Sequence, residues 1–380
     1  MNRLLKLLSL VFLSASATLL HAAPLQMPAK PDIQAKAYIL TDYNSGFVMA
    51  ENNADVRIEP ASLTKMMTAY VVSTELDSGH IKLQDPVHIS EKAWRQEGSR
   101  MFVNVNSFVS VEELLKGLII QSGNDAAVAL AEHIAGSEDA FAALMNRQAQ
   151  RLGMKGTHFV NSTGLPDPNH YTTTRDLALL ATAIIRDFPD HYSWYSAREF
   201  SYNKIKQPNR NLLLWRDPTV DGIKTGHTES AGFCLVASSK RGEMRLISVV
   251  MGTNSEELRA KESQKLLGYG YGFFETHKLY AENQPLKTLP LWKGESNTID
   301  LGLATPLYVT VPRGYYNDLN AALNVQKNIV APVHKGQALG SVVVRLDNQV
   351  LASQPLVALR DMPEGGIFTR LIDGARLWFE

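Results

Sequence analysis

Cysteine is almost absent from this chain, which has one, Cys234, in 380 residues. A single cysteine excludes an internal disulfide and a paired-cysteine metal site, so core packing alone must hold the fold together. Cys234 lies in the apolar run 233–237, which predicts a buried and unreactive thiol. The sequence also lacks His-Glu-x-x-His and Gly-x-Ser-x-Gly motifs, and therefore indicates neither a zinc peptidase nor an α/β-hydrolase. We expect no metal and no cofactor.

An excess of charge of one sign is absent as well, because Lys+Arg and Asp+Glu are equal at 38 each. No uniform field therefore favours nucleic acid as a partner. Near the N-terminus, Arg3 and Lys6 precede mainly apolar residues 7–20, which two alanines follow shortly afterwards. This run is too short to span a bilayer. It predicts a cleavable secretory signal over residues 1–23 and an exported protein.

Three short motifs follow one another along the chain: Ser62-Leu-Thr-Lys65, Ser122-Gly-Asn124 and Lys224-Thr-Gly226. Together they indicate acyl transfer through a serine whose base is a lysine. Apolar residues at helical spacing after Pro60 place Ser62 in the first turn of a buried helix, with Lys65 on the same face. A lysine acts as a base only when neutral, and burial beside a second cation, for which Lys224 is the candidate, lowers its pKa.

A second match to the first motif, Ser201-Tyr-Asn-Lys204, has a different context. It lies in the polar, proline-containing stretch 200–210, which has no helical apolar period. We interpret it as a chance match.

The three motifs resemble those of penicillin-binding proteins and serine β-lactamases. The sequence is most similar to low-molecular-weight D-alanyl-D-alanine carboxypeptidases of the penicillin-binding protein 5/6 type. The stretches that carry this resemblance are 38–46, 60–67, 121–126, 209–215, 220–228 and 244–248. The resemblance extends from about residue 35 to near the C-terminus.

The resemblance implies a role for each matching residue. Ser62 would attack the peptide carbonyl between two terminal D-alanines, and Lys65 would take its proton. The backbone N–H groups of Ser62 and His227 would form the oxyanion hole. Ser122 would relay a proton to the leaving D-alanine, and Asn124 would bind the substrate amide.

The third motif would complete the site. Lys224 would set its electrostatics, and Gly226 would lie on the strand that binds the substrate. Thr225 and Arg259 would receive the terminal carboxylate. For Arg259 a solvated helix arginine is an equal alternative, because only its distance after the last strand supports the assignment.

The implied function is removal of the terminal D-alanine from peptidoglycan pentapeptide, with β-lactams as acylating inhibitors. A serine β-lactamase is one alternative, but the loop 161–176 has no glutamate that could activate a deacylating water. A catalytically silent wall-binding scaffold is the other. Within that loop region, His158, His170 and Asp176 fit loop-stabilising hydrogen bonds better than catalysis.

The pattern of elements predicts an α+β fold of the β-lactamase/transpeptidase type. Strands near both ends of residues 36–276 would form one antiparallel sheet, with an inserted helical cluster and Lys224 on the edge strand. The predicted strands are 36–43, 47–51, 223–225, 232–239 and 244–251. One predicted helix begins at Ser110, another begins at Asn124 or Asp125, and three more span 138–152, 174–187 and 255–274.

The C-terminal part has a different composition. A lead, 24–35, comes before the first domain, and short alternating runs over 286–363 predict a small all-β domain after it. Residues 365–380 predict an amphipathic helix, whose apolar face is Ile367, Phe368, Leu371, Ile372, Ala375, Trp378 and Phe379. Such a helix can lie on the outer face of the cytoplasmic membrane as a peripheral anchor. The alternative is a helix docked on the β domain.

Overall fold

The computed structural model describes residues 27–378. The predicted signal over 1–23 and the last two residues of the predicted terminal helix lie outside this range.

The N-terminal part is built on strands that come from both of its ends. Its strands are β1 (Ala37–Asp42), β2 (Val48–Asn52), β3 (Pro86–His88), β4 (Phe108–Ser110), β5 (Glu199–Tyr202), β6 (Ile205–Pro208), β7 (Val220–Thr228), β8 (Gly232–Arg241) and β9 (Met244–Thr253). Five of them form one antiparallel sheet in the order β2-β1-β9-β8-β7. The predicted fold class is confirmed, and β7, which carries Lys224, is an edge strand of this sheet.

Helices cover both faces of the sheet. The α-helices within residues 27–378 are α1 (Thr64–Asp77), α2 (Glu91–Trp94), α3 (Val111–Lys116), α4 (Asn124–Ala135), α5 (Glu138–Arg151), α6 (Thr174–Asp187), α7 (Pro189–Tyr192), α8 (Leu213–Arg216), α9 (Glu256–Phe273) and α10 (Ile367–Arg376). Helix α6 contacts β9 on one side and α9 contacts it on the other. This double coverage explains why β8 and β9 are nearly continuous apolar runs, and Cys234 on β8 is fully buried as predicted.

The predicted helix starts agree with the caps that the side chains make. Ser110, Thr173 and Ser255 each accept a hydrogen bond from the backbone N–H three residues ahead. Such caps satisfy backbone donors that have no partner inside the helix. Gly136 ends α4 with a φ of 75°, in the left-handed conformation that favours glycine.

Two small hairpin-like pairings were not apparent from the pattern. Strand β3 pairs with β4, and β5 pairs with β6. The turn between β5 and β6 holds Asn203 and Lys204 at φ values of 47° and 62°. Pro189, just after α6, begins the short helix α7.

The C-terminal part is all β up to its last helix, as predicted. Its strands are β10 (Phe274–Tyr280), β11 (Lys287–Trp292), β12 (Thr298–Gly302), β13 (Leu307–Pro312), β14 (Leu319–Val325), β15 (Ile329–Val330), β16 (Ala338–Leu346) and β17 (Gln349–Ala358). Six of them form a sheet in the order β14-β16-β17-β12-β11-β15, and β10 pairs with β13. Strand β10 follows α9 directly and links the two parts of the chain. Residue 276, the predicted end of the first domain, therefore lies inside this strand.

Helix α10 is shorter than the predicted 365–380. Among residues 27–378 no helix is both long and apolar enough to cross a membrane.

Candidate active site

Ser62 lies in a short 3-10 turn, Ala61–Leu63, that leads into α1. The serine therefore lies in the 3-10 turn directly before α1, not in the first turn of the α-helix itself, while Lys65 is in that first turn. The Lys65 ammonium donates to Ser62 Oγ at 3.0 Å and to the Thr163 carbonyl at 2.5 Å. The turn thus brings the hydroxyl and the amine into direct contact.

Burial controls the charge of Lys65. Its side chain is 1% exposed, and burial, followed by the positive charge of Arg210, lowers its pKa to about 7. The carboxylate of Asp125 acts in the opposite direction. Arg210 is therefore a cation near Lys65 that the sequence did not point to, and the expected Lys224 is coupled to Lys65 as well. Burial and then the charge of Lys65 hold the pKa of Lys224 well below its usual value.

The second motif sits at an irregular junction between two helices. Helix α3 continues into a π-helical turn, Gly117–Gln121, which ends at Ser122 with a φ of 70°. Turns of this type are frequent at functional sites because they re-aim the following side chain. Ser122 Oγ accepts a hydrogen bond from the Lys224 ammonium at 2.8 Å. Asn124 begins α4, and its Nδ2 donates to the Glu97 carbonyl at 2.5 Å.

Edge strand β7 forms the opposite wall of the site. A Cβ added to Gly226 would lie 3.1 Å from the carbonyl oxygen of Pro60. The glycine thus lets the strand lie directly against the turn that carries Ser62. His227 follows it, and its ring stacks on Phe233 with centroids 3.9 Å apart.

A cleft of about 340 Å³ opens between these elements. Its lining residues are Ser62, Gly98, Ser99, Ser122, Asn124, Thr163, Gly164, Leu165, Arg210, Thr225, Gly226, His227, Thr228, Glu256 and Arg259. Seven of the nine predicted site residues line it. Lys65 and Lys224 lie behind Ser62 and Ser122, to which they donate. The structure therefore brings all nine together.

Arg259 lies in the cleft wall, not in solvent. It is 2% exposed, and its guanidinium donates to the carbonyls of Gly226 at 3.4 Å and Arg210 at 3.3 Å. Its side chain also pairs with Glu256 at 3.2 Å and lies 5.6 Å from the ring centroid of Phe233. Helix α9 thus presents the positive charge of Arg259 to the cleft in a fixed position.

Two contributors to the site were not predicted as site residues. Arg210 lies within the stretch 209–215, which carried part of the resemblance, but its sequence alone gives it no role. It lies inside a turn in which Asn209 Oδ1 accepts the backbone N–H of Asn211 at 3.0 Å. The backbone carbonyl of Thr163 accepts a hydrogen bond from Lys65. Every residue has such a carbonyl, so the sequence could not indicate this role.

His158, His170 and Asp176 make hydrogen bonds that stabilise the loop region. Because the backbone N–H of Val160 donates to His170 Nδ1 at 3.2 Å, the ring proton is on Nε2, which donates to Thr64 Oγ1 at 2.7 Å. Burial lowers the pKa of His170 to about 4, so the ring is neutral. Asp176 accepts the backbone N–H of Gly156 at 2.8 Å. His158 Nδ1 lies 2.7 Å from the Asn169 carbonyl.

The second Ser-x-x-Lys match lies elsewhere. Ser201 and Lys204 are both exposed on the β5–β6 hairpin, and neither lines the cleft.

Two serine–lysine pairs that face one cleft, beside a strand that can supply backbone donors, define a serine acyl-transfer enzyme. The family described as "D-alanyl-D-alanine carboxypeptidase" matches residues 25–255, and "Penicillin-binding protein 5, C-terminal domain" matches residues 274–364. The chain therefore belongs to the D-alanyl-D-alanine carboxypeptidase family and is a serine peptidase of the penicillin-binding type.

Relatives and solved structures agree with this family over most of the chain. D-alanyl-D-alanine carboxypeptidase DacA of Escherichia coli strain K12 is 45% identical over 361 residues, 93% of this chain and 90% of that protein. Penicillin-binding protein 5 from Haemophilus influenzae has a crystal structure with a TM-score of 0.84 and 45% identity, covering 89% of this chain and all of that one. Penicillin-binding protein D2 from Listeria monocytogenes, in its ampicillin-bound form, has a TM-score of 0.60 and 30% identity, covering 64% of this chain and all of that one.

Proposed function

We propose that Ser62 is the nucleophile and Lys65 its general base. The observation that carries this assignment is the 3.0 Å contact between Lys65 Nζ and Ser62 Oγ, in a setting that lowers the lysine pKa to about 7. The serine proton passes to the neutral amine as Oγ attacks the carbonyl between two D-alanines. The backbone N–H groups of Ser62 and His227 then stabilise the oxyanion.

Ser122 and Lys224 are placed to serve the leaving group. Their 2.8 Å hydrogen bond forms a path along which the proton taken up by Lys65 reaches the nitrogen of the departing D-alanine, so that Lys65 is neutral again. The C–N bond breaks, and an ester between Ser62 and the remaining peptide is left. Water then cleaves this ester, with Lys65 again as the base. Asn124, at the cleft surface, would hold the substrate amide.

The cationic end of the cleft suits the substrate carboxylate. Thr225, Arg210 and Arg259 all line the cleft, and Glu256, the acid that lines it with them, is paired with Arg259. We infer that they bind the free carboxylate that a terminal D-alanine carries, as in peptidoglycan pentapeptide. The same anion occurs on β-lactams, which would acylate Ser62.

Two parallel incubations test the function. The protein is treated with a fluorescent penicillin and, separately, with a peptide ending in D-Ala-D-Ala. A long-lived adduct together with D-alanine release is the expected result. Rapid loss of the drug without accumulation of adduct would instead indicate a β-lactamase. Absence of both reactions would indicate a silent scaffold.

We also propose that the enzyme is exported and peripheral on the outer face of the cytoplasmic membrane, through residues 365–380. Five large apolar side chains at this end are 54–91% exposed; they are Ile367, Phe368, Leu371, Ile372 and Trp378. Full burial of such side chains contributes roughly 1.5–3 kcal/mol each, and partial insertion contributes less.

Fractionation of cells tests the anchor. Truncation after Pro363 should give a soluble and still active enzyme, because the site lies in the N-terminal part. The arginines and acids of residues 365–380 are balanced at two each, so a moderate salt wash should leave the full chain on the membrane. Membrane association that survives the truncation, or that salt removes completely, would refute the anchor.

A further inference from the structure

Helix α10 is turned with its apolar side away from the β domain. The exposed residues named above form one stripe, while Asp373, on the opposite side, is only 9% exposed. Thr369 and Leu377, one turn before and after Asp373, are half-buried. Residues four apart share a helix face, so these three form the docked side. An amphipathic helix that packs on a domain normally buries its apolar side instead.

Lys293, in the turn after β11, holds this docked side. Its backbone N–H donates to Asp373 Oδ2 at 2.7 Å, and its carbonyl accepts the N–H of Gly365 at 2.8 Å. Its φ of 57° lies in the left-handed region, where both backbone groups reach the terminal segment. Its side chain runs beside the helix, since a Cβ added to Gly374 would lie 3.7 Å from Lys293 Cε.

The segment before the helix is fixed as well. Gly294 and Glu364 form a β-bridge, and the backbone N–H of Glu295 donates to the Pro363 carbonyl at 3.1 Å. The chain therefore enters α10 from a defined position on the β domain. Arg370, on another side of the helix, pairs with the exposed Glu364.

We propose that Asp373 is a positioning residue that docks α10 on the β domain, so that a lipid-binding face is formed before the protein meets the membrane. The proposal rests on the membrane association proposed above. An isolated helix of ten residues is unstable in water, whereas a docked one is already folded. Docking also fixes the direction in which the apolar stripe points relative to the β domain, and hence the orientation of the enzyme on the bilayer.

Hydrogen exchange of the full mature chain without lipid tests the docking. The Lys293 amide and the amides of 371–377 should be protected in the native protein. Asp373→Ala should accelerate exchange on the order of tenfold or more, the usual effect of losing a charge-assisted hydrogen bond. Asp373→Asn, which keeps an acceptor, should recover part of the protection. Arg376→Ala, which changes an exposed arginine of the same helix, is the matched control and should leave the protection unchanged.

Fast exchange in the native protein, or equal protection in Asp373→Ala, would overturn the docking.

A second measurement reports the orientation of the enzyme on the bilayer. Energy transfer from a fluorescent penicillin on Ser62 to an acceptor in phosphatidylethanolamine/phosphatidylglycerol vesicles should give one narrow distance distribution in the native protein. In Asp373→Ala the distribution should broaden while the protein still binds the vesicles. An unchanged distribution would also contradict the proposal.

A separate variant tests the membrane proposal independently of the docking. Leu371→Asp places a charge in the exposed stripe without touching Asp373. It should abolish vesicle flotation and keep the Lys293 amide protected. Undiminished flotation of Leu371→Asp would refute the lipid-binding face, whereas the exchange experiment would still report on docking.

Discussion

At the scale of single residues, the proposed site contains two buried lysines that have no carboxylate partner at hydrogen-bond distance among residues 27–378. Lys65 donates to Ser62 and to a carbonyl, and Lys224 donates to Ser122 and to the Thr225 carbonyl. Both acceptor sets are neutral, so they do not compensate a buried ammonium as a carboxylate would. The neutral amine that a base requires is therefore a consequence of where the lysines are buried.

The choice of nucleophile can be tested directly. Ser62→Ala should abolish covalent penicillin labelling and D-alanine release, because the hydroxyl that contacts Lys65 is lost. Ser201→Ala, the control at the second Ser-x-x-Lys match, should leave both nearly unchanged since Ser201 lies on an exposed hairpin. Mass spectrometry of the labelled protein decides it, and an adduct mapped to Ser201 would overturn the assignment.

The pH dependence of acylation tests the role of Arg210. Because the pKa of Lys65 is about 7, the rate of acylation should rise as pH increases through this value. Arg210→Gln removes a positive charge that disfavours the protonated lysine. The pKa of Lys65 should therefore increase, and the midpoint of the pH–rate profile should move to higher pH.

Arg210→Lys is the matched control and should keep the midpoint close to that of the native enzyme. Stopped-flow acylation by one penicillin across the pH range gives the profile. A rate reduced equally at every pH, with an unmoved midpoint, would show that Arg210 binds the ligand but does not tune Lys65.

The residues that the sequence predicted for the site lie together in the structure, whereas two of their neighbours were not predicted. The motifs name side chains whose chemistry is distinctive, and helical spacing accounts for the contact of Ser62 with Lys65. Arg210 acts at a distance through its charge, and Thr163 acts through its backbone. Neither effect leaves a recognisable side-chain pattern in the sequence, so both could be found only from the three-dimensional structure.

At the scale of elements, the loop that supports Lys65 packs against the nucleophile turn. Asn161 Oδ1 accepts the backbone N–H groups of Thr163 at 3.2 Å and Gly164 at 2.7 Å, which shapes a tight turn. Gly164 has a φ of 85°, and a Cβ added there would overlap the carbonyl of Ala61. The turn therefore needs glycine both for its conformation and for its close approach to the residue before Ser62.

Gly164→Ala should destabilise the protein by roughly 3 kcal/mol or more and slow acylation, because backbone must move next to Ser62. Gly136→Ala is the control. Gly136 also has a positive φ, 75°, but nothing lies within 4 Å of an added Cβ, so a loss of about 1 kcal/mol without an effect on acylation is expected. Denaturant unfolding and penicillin labelling measure the two effects. Equal losses in both variants would show that the contact with Ala61 is unimportant.

Elements with strong periodicity were predicted well, and the exceptions have physical reasons. The sheet and helices α4, α5, α6 and α9 have long apolar patterns and recognisable caps. In the hairpin β5–β6, Phe200 and Tyr202 are half-buried between exposed neighbours, but this alternation covers only four residues and β6 is mostly exposed, so the pattern is too short to identify a strand. For α10 the sequence gives an apolar stripe, but the side that docks depends on one hydrogen bond to the Lys293 backbone.

At the scale of the whole molecule, a buried polar cluster joins the two parts of the chain. Asp42 at the end of β1 accepts hydrogen bonds from Thr276 Oγ1 at 2.8 Å and from the backbone N–H of Ser45 at 2.7 Å. Thr310 Oγ1 lies 2.6 Å from Ser45 Oγ and 2.8 Å from Thr276 Oγ1. Thr276 and Thr310 belong to paired strands β10 and β13. The cluster therefore links the sheet that carries the active site to the C-terminal strands.

Burial makes this cluster sensitive to pH. It raises the pKa of Asp42, although the hydrogen bonds from Ser45 and Thr276 oppose the shift. A carboxyl whose pKa is higher in the folded state binds more protons there than in the unfolded state, where its pKa is about 3.9. Its contribution to stability therefore decreases as pH rises from that value through the raised folded pKa.

Thr276→Val removes one donor to the Asp42 carboxylate at nearly constant volume. We expect a loss of about 1–3 kcal/mol at neutral pH, where the carboxylate is charged and lacks that partner. The loss should be smaller at about pH 4, because protonation of the Asp42 carboxylate removes the charge that the Thr276 hydroxyl stabilises. Urea unfolding of the native chain and the variant at both pH values measures the difference, and penicillin acylation should stay normal because Ser62 is outside the cluster. A deficit that is independent of pH would show that Thr276 contributes packing alone, and that the Asp42 carboxylate does not depend on it to join the two parts.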